Sequence, residues 1–291
     1  MPEAQTPGEP GTLFVCGTPI GNLDDVSPRL RATLAGVEVV AAEDTRRTRR
    51  LLNHLEINVS TVSFHEHNAV ARTPELVDRL ARGESVALVT DAGMPAISDP
   101  GATLVAAAHA ARIPVRVIPG PSAVVCALAL SGFSGDRFCF EGFLPAKGRD
   151  RSRRLQGIAA ETRPVVLFEA PHRLQRTLAD LAAAMPQREV AVCRELTKLY
   201  ECVERGELSE LAAAWSTREV KGEIVLVLGP GSGTPETAPE PAPSDGALAA
   251  EVAAAVAAGV LKTEAIKAVA EKYGLPRRRV YDAALVVKFR H

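Results

Sequence analysis

The sequence predicts an α/β protein of two domains with a cleft between them, followed by a small C-terminal helical module. Three observations carry this prediction. Between residues 12 and 122, strand-like apolar runs alternate with helix-like stretches, the pattern of a largely parallel, helix-covered sheet. Near Arg137 the texture changes to a second set of strands mixed with helices. A Pro/Gly/Glu/Thr-rich stretch, PGSGTPETAPEPAPSDG at 230–246, then sets off an Ala-rich, basic tail.

Taken in order, residues 1–11 are rich in Pro, Gly and Glu and read as a disordered leader. They have neither the basic nor the apolar region of a signal peptide. Residues 12–122 form the expected N-terminal α/β domain, with strands near 12–16, 37–42, 58–64, 85–90 and 113–118. Helix starts are signalled at Ser27-Pro28, which puts proline at the first helical position, and at Asp99-Pro100. Residues 123–230 form the expected C-terminal α/β domain. FCFEGF, PVVLFEA, EVAVCREL and GEIVLVLG are its strands, and helices fall near 149–160 and 171–184. A linker spans 231–246, and 247–291 reads as helical and helix-turn-helix-like. Within it, ALAAEVAAAVAAGV forms a first helix, Lys262 to Tyr273 a second ended by Gly274, and Leu275-Pro276 opens a third.

The chain has 291 residues, 46% of them apolar, enough to bury a large core. No apolar run approaches the roughly 20 residues of a membrane helix. The expectation is a cytoplasmic protein with no membrane partner. Cys16, Cys126, Cys139, Cys193 and Cys202 are scattered and read as reduced thiols. The net charge of −1 hides an asymmetry. From Ala247 onward, eight basic residues face four acidic ones, a net +4, which leaves 26 basic and 31 acidic residues, net −5, in the rest. A basic module on an acidic body points to a polyanionic partner.

Chemistry concentrates where strands end. VCGTPIGNLDD (15–25), VALVTDAGMPAISDPG (86–101) and VRVIPGPSAVV (115–125) each run from an apolar strand into a Gly/Pro elbow, so the three elbows converge on one cleft. The middle one delivers Asp91, and Gly93 and Ala96 let backbone approach a ligand. GTPIGN lacks the Lys-Ser/Thr of a P-loop, GxGxxG is absent after the first strand, and GPGSG at 229–233 has neither a lysine nor a following helix. Nucleotide hydrolysis and NAD chemistry are therefore disfavoured. His65 and His67 of HEH stand two apart, as on one strand face. Without a matching Cys or carboxylate cluster no metal is expected, and loop hydrogen bonding is the plainer role.

EDTRRTRRLLNHL (43–55) reads as a helix with Glu43 and Asp44 in its first turn and Leu51, Leu52 and Leu55 facing inward. An ordinary amphipathic helix would need no more. Arg46, Arg47, Arg49 and Arg50 exceed what a dipole requires, and guanidinium forks match phosphate oxygens, so an RNA- or DNA-facing helix is the sharper reading. Arg277, Arg278 and Arg279 could meet phosphates in the same way, with a small capping bundle as the alternative. FEAPHR (168–173) is a further strand-to-helix elbow, with Pro171 at the helix start.

The series GTPIGNLDD, AAEDTRRTRRLL, SFHEHN, TDAGMPAISDPG, IPGPSA, FEGFLP, FEAPHR, CRELTK and GEIVLV resembles, in this order, the rRNA-methylating members of the tetrapyrrole methylase superfamily. The resemblance covers 12–230 and continues weakly into the tail. It implies an S-adenosylmethionine-dependent enzyme that methylates the ribose 2′-hydroxyl of a cytidine in the decoding region of 16S rRNA. It also implies two domains flanking a cleft, 16S rRNA or the 30S subunit as partner, and a homodimer. The implied cofactor site comprises Asp91, Gly93, Met94 and Pro95 with Ser122 and Ala123. Thr18 and Pro19 lie at the cleft, and Phe168, Glu169 and Ala170 close over the cofactor. Glu43, Asp44, His65, Glu66 and Lys198 are the candidates to contact or deprotonate the hydroxyl, and nothing in the sequence ranks them. Two other classes stay open. One is a small-molecule, tetrapyrrole-type methyltransferase, against which the arginines of 46–50 and the basic tail weigh. The other is a non-catalytic RNA-binding ribosome-assembly protein, which would have no use for the elbows.

Overall fold

The computed structural model describes residues 10–97, 101–231, 244–273 and 275–286. The chain divides into two compact units at Gly231. The first unit opens with β1 (Leu13–Cys16), α1 (Pro28–Gly36), β2 (Val39–Ala42), α2 (Thr45–His54), β3 (Ser60–Ser63), α3 (Ala69–Ala81), β4 (Val86–Val89), α4 (Ala102–Ala110) and β5 (Val115–Ile118). The five strands form a parallel sheet in the order β3-β2-β4-β1-β5. β2 and β4 are buried along their whole length, which is why they read as unbroken apolar runs. Leu76, Leu80 and Leu104 of α3 and α4 cover one face, while Leu30, Leu34, Leu51 and Leu52 of α1 and α2 cover the other. The Ser27 hydroxyl caps α1 by accepting the Leu30 amide, with Pro28 at the first helical position. From β1 the chain crosses to β2, and from β4 it crosses to β5 in the opposite direction. The crevice beyond the carboxyl ends of β1 and β4 is therefore the topological switch point, where open α/β sheets bind ligands.

The rest of this unit is α5 (Ala123–Ser131), β6 (Cys139–Phe143), α6 (Arg149–Ala160), β7 (Val165–Glu169), α7 (Leu174–Ala184), β8 (Glu189–Arg194), β9 (Cys202–Glu207), α8 (Leu208–Trp215) and β10 (Ile224–Leu228). The strand order is β6-β7-β10-β8-β9, with β6 and β7 parallel and the other pairs antiparallel. α5 lays Val124, Ala127 and Leu128 on one face of this sheet, together with Ile20 from the loop after β1. Ile158, Leu178 and Trp215 of α6, α7 and α8 cover the other face.

The second unit contains α9 (Asp245–Ala257), α10 (Lys262–Lys272) and α11 (Arg277–Val286) around Leu248, Val252, Ile266, Val269 and Val280. Arg277, Arg278 and Arg279 open α11 and are exposed. Glu251 accepts hydrogen bonds from Lys272 and, at 3.1 Å, from the Tyr273 hydroxyl.

Several sequence expectations shift. Gly11, placed in the leader, is buried, and its amide donates to the Leu80 carbonyl at 2.7 Å. A Cβ there would sit 2.0 Å from the Glu84 carbonyl oxygen, so only glycine fits. Glu43 and Asp44 stand before α2 instead of in its first turn: Asp44 is the N-cap, and Glu43 turns toward β4. His65 and His67 follow β3 in a turn, not on a strand face, because Asn68 folds back to accept the His65 amide at 2.8 Å. Asp245 and Gly246 belong to α9 and not to the linker, since the Ser244 hydroxyl caps that helix. Residues 1–9, the Asp99-Pro100 helix start, linker residues 232–243 and Gly274 lie outside the described residues.

Candidate active site

The three elbows meet backbone to backbone. A Cβ on Gly120 would lie 2.6 Å from the Gly17 carbonyl carbon, so the loops after β1 and β5 are in direct contact. Thr18 and Gly93 exchange reciprocal amide-to-carbonyl hydrogen bonds of 2.9 and 3.1 Å, which ties the loop after β1 to the loop after β4. Gly93 takes φ +80°, a conformation open to glycine and strained for other residues. The Thr18 hydroxyl, buried, donates to the Thr90 carbonyl at 3.2 Å.

The second sheet faces these elbows with the ends of β7 and β8 and the start of β10. Antiparallel pairing sets Ile224 opposite both Glu169 and Arg194, so the first residues of β10 arrive at the same edge. The result is a cavity of about 410 Å³. Ile20, Glu43, Asp91, Gly93 and Met94 line it from the first sheet, Ser122–Val124 from the start of α5, and Phe168–Pro171, Leu196 and Gly222–Val225 from the second sheet. Next to it is a smaller pocket of about 210 Å³, which shares Arg47, Thr90 and Asp91 and adds Thr18, Pro19, Leu23, Thr48, Arg50 and Leu51.

Charge within the cleft is arranged around Asp91. Glu43 Oε2 accepts the Thr90 hydroxyl at 2.7 Å and the Asp91 amide at 3.2 Å. Asp91 Oδ1 accepts the Asp44 amide at 3.1 Å, and Oδ2 lies 3.4 Å from Arg47. Burial, then the negative charge of Glu43, pushes the Asp91 carboxyl above its ordinary value, against the pull of Arg47. Asp44 goes the other way: the Arg46 side chain and then the Arg46 amide hold it well below the usual carboxylate range. Across the cavity, Lys198 donates to Glu195 at 2.8 Å and to Glu223 at 2.9 Å. Burial favours the neutral amine, but these two carboxylates outweigh it and keep Lys198 an ammonium above its ordinary pKa. Glu195 (φ 54°) and Thr197 (φ 66°) are held in the left-handed region, a strain of about 1–3 kcal/mol each of the kind that gathers at functional sites.

Of the residues implied for the cofactor, Asp91, Gly93, Met94, Ser122, Ala123, Phe168, Glu169 and Ala170 line the larger cavity. Thr18 and Pro19 line the smaller one, and Pro95 lines neither. The Glu169 carboxylate accepts the Thr177 hydroxyl at 2.5 Å and the Ala170 amide at 2.8 Å, so it anchors β7 to α7. Among the candidates to contact the hydroxyl, Glu43 lines the larger cavity, whereas Asp44, His65, Glu66 and Lys198 line neither. The His65 Nδ1 is buried without a hydrogen-bond partner.

The four arginines of α2 separate by face. Arg47 lines both cavities and Arg50, one turn on, the smaller. Arg46 is engaged by Asp44, and Arg49 donates to the Thr61 hydroxyl at 3.2 Å. Ile20, Leu196, Glu223 and Val225 are lining residues to which the sequence assigned no site role. GEIVLV was visible as a strand, but its direction, which brings its start to the cleft, is not written in its apolar pattern.

A crevice at the switch point of a parallel sheet, closed by a second mixed sheet, is the architecture of a methylase class, and the chain belongs to the tetrapyrrole (corrin/porphyrin) methylase family, whose model matches residues 12–212. Within it, the chain is similar to proteins named ribosomal RNA small subunit methyltransferase I. The one from Synechocystis is 45% identical across 94% of this chain and 98% of its own length. The one from Thermotoga maritima is 46% identical and is covered over 98% of its length by 75% of this chain. Among solved structures, the methyltransferase CobJ matches with TM-score 0.58 at 20% identity, over 76% of this chain and 94% of that one. Uroporphyrin-III C-methyltransferase from Thermus thermophilus, complexed with S-adenyl homocysteine, matches with TM-score 0.55 at 15% identity, over 75% and 97%. At these identities the two structures share the fold.

Proposed function

We propose that the protein uses S-adenosylmethionine to methylate the 2′-hydroxyl of a cytidine ribose in the decoding region of 16S rRNA. It acts in the cytoplasm as a homodimer. The observation that carries this reading is the 410 Å³ cavity at the meeting of three elbows, a volume within the 300–1,000 Å³ range of small-molecule sites.

The lining fits the cofactor part by part. Ser122, Ala123 and Val124 line the cavity at the start of α5, where the Ser122 side chain makes no cap, so the open N-terminal turn of that helix suits a carboxylate. Glu43, Asp91 and Glu223 offer negative charge to an ammonium and a sulfonium. Ile20, Val124, Phe168, Leu196 and Val225 give an apolar bed for adenine. The bound cofactor supplies an electrophilic methyl group; transfer to the hydroxyl oxygen breaks the C–S bond onto sulfur and releases the hydroxyl proton. Glu43 serves alignment: it holds the amide of Asp91 and the hydroxyl of Thr90, which fixes the elbow at the cleft. Arg47 and Arg50 serve rRNA phosphates, and Arg277–Arg279 of α11 add phosphate contacts.

The test is methyl transfer to small subunits from cells lacking the modification, run beside free 16S rRNA and a tetrapyrrole acceptor. Counts in rRNA support the reading. Counts confined to the tetrapyrrole replace it with a small-molecule methyltransferase.

A further inference from the structure

The two cavities differ in chemistry across a shared wall. The larger is acidic and apolar, and suits a cationic donor. The smaller adds to that wall a second guanidinium, Arg50, and the Thr18 and Thr48 positions, with Leu23, Leu51 and Pro19 between them. At 210 Å³ it falls below the volumes typical of drug-sized ligands, so it suits one sugar and its phosphate better than a whole cofactor. Asp91 is the one carboxylate that both cavities share among the described residues. Its orientation is fixed from both sides: Oδ1 accepts the Asp44 amide, and its own amide donates to Glu43. Arg47 holds the other oxygen only loosely, at 3.4 Å with 61% of its side chain exposed, a pair that an incoming phosphate can take over.

We propose that the smaller pocket receives the ribose and phosphate of the acceptor nucleotide, with Arg47 and Arg50 on the phosphate and an Asp91 carboxylate oxygen taking the proton of the 2′-hydroxyl. The O–H electron pair stays on the ribose oxygen, where the new bond to carbon forms, and the proton resides on Asp91. This rests on the methyltransferase reading. The charged groups acting on Asp91 are Glu43 and Asp44, which precede α2, and Arg46 and Arg47 on it; the loop after β1 brings the uncharged Thr18 and Pro19. The raised proton affinity that burial and Glu43 give Asp91 suits it to the role.

The experiment uses the full chain in three forms: wild type, Arg50→Ala and Asp91→Asn. Calorimetry with S-adenosylhomocysteine reads the larger cavity, anisotropy with a labelled decoding-region RNA fragment reads the smaller, and single-turnover transfer to unmethylated small subunits reads the chemistry across pH. Arg50→Ala is expected to weaken RNA binding at least fivefold and raise KM for subunits, with S-adenosylhomocysteine affinity within twofold of wild type. Asp91→Asn is expected to keep both affinities within about tenfold, lose about 10²- to 10⁴-fold in single-turnover rate, and flatten the acidic limb of the pH profile. RNA binding unchanged in Arg50→Ala, or an Asp91→Asn rate within tenfold of wild type, overturns the inference. Wild-type protein that binds S-adenosylhomocysteine but methylates no RNA overturns the functional reading itself, so the two failures are distinguishable.

Discussion

Replacing Gly120 with alanine tests whether the cleft depends on backbone contact between elbows. The added Cβ would lie 2.6 Å from the carbonyl carbon and oxygen of Gly17 and 2.8 Å from its Cα. All three atoms are backbone, so no side chain can rotate away. Overpacking of this kind costs about 1–3 kcal/mol, and rigid neighbours place Gly120→Ala near the upper figure. At roughly 2–4 °C per kcal/mol for a unit of this size, the melting transition should fall by about 6–12 °C. Affinity for S-adenosylhomocysteine should fall with it, because the displaced loop leads into Ser122. Gly36→Ala is the control: a Cβ at the end of α1 meets nothing within 4 Å, and the change should raise the melting temperature by about 1–4 °C. Scanning calorimetry with and without S-adenosylhomocysteine reads both. If Gly120→Ala melts within 2 °C of wild type with unchanged affinity, the contact between elbows is not what holds the site.

Ser27→Ala removes the hydroxyl that accepts the Leu30 amide at 3.1 Å and should cost about 1 kcal/mol in denaturant unfolding, while Ser27→Asp should retain most of the stability. Burial pushes the Cys16 and Cys193 thiols up to about 12, so at pH 8 both remain protonated. Mass spectrometry after brief iodoacetamide treatment should find both unmodified in the native protein and alkylated after unfolding. Hydrogen bonds from the Arg163 side chain hold the Glu161 carboxyl well below the usual range. A depressed folded-state pKa stabilises the protein above the unfolded value of about 4.3, and this is lost as pH falls toward the folded value. The melting-temperature gap between wild type and Glu161→Gln should therefore be positive at pH 7 and narrow in acid, and a gap that widens in acid would reverse the sign.

The first sheet was readable because interior parallel strands such as Val39–Ala42 and Val86–Val89 are apolar on both faces, and because the runs that become β1, β4 and β5 end in Gly/Pro turns that mark the carboxyl edge. The convergence of those turns followed from parallel topology alone. What the sequence left open depends on long-range geometry. The direction of β10, which brings Glu223 and Val225 to the cleft, is set by pairing with β7 and β8, and an apolar run looks the same in either direction. Glu43 and Asp44 looked alike as acids at a helix start, yet Asp44 caps α2 while Glu43 reaches Thr90 and Asp91 in the loop after β4. The arginines of α2 formed one cluster in sequence, and the helical turn assigned Arg47 and Arg50 to the pocket and Arg46 and Arg49 to other partners. Contacts such as that between Gly21 and Lys198 join residues remote in sequence and leave no local signature.

The most direct test is the chemical identity of the methylated product. Small subunits lacking the modification are incubated with the protein and labelled S-adenosylmethionine, the 16S rRNA is digested, and the labelled nucleoside is identified by mass spectrometry and mapped. The expected product is 2′-O-methylcytidine from the decoding region. Label on a base, label elsewhere in the rRNA, or no label despite measurable S-adenosylhomocysteine binding would contradict the proposed function.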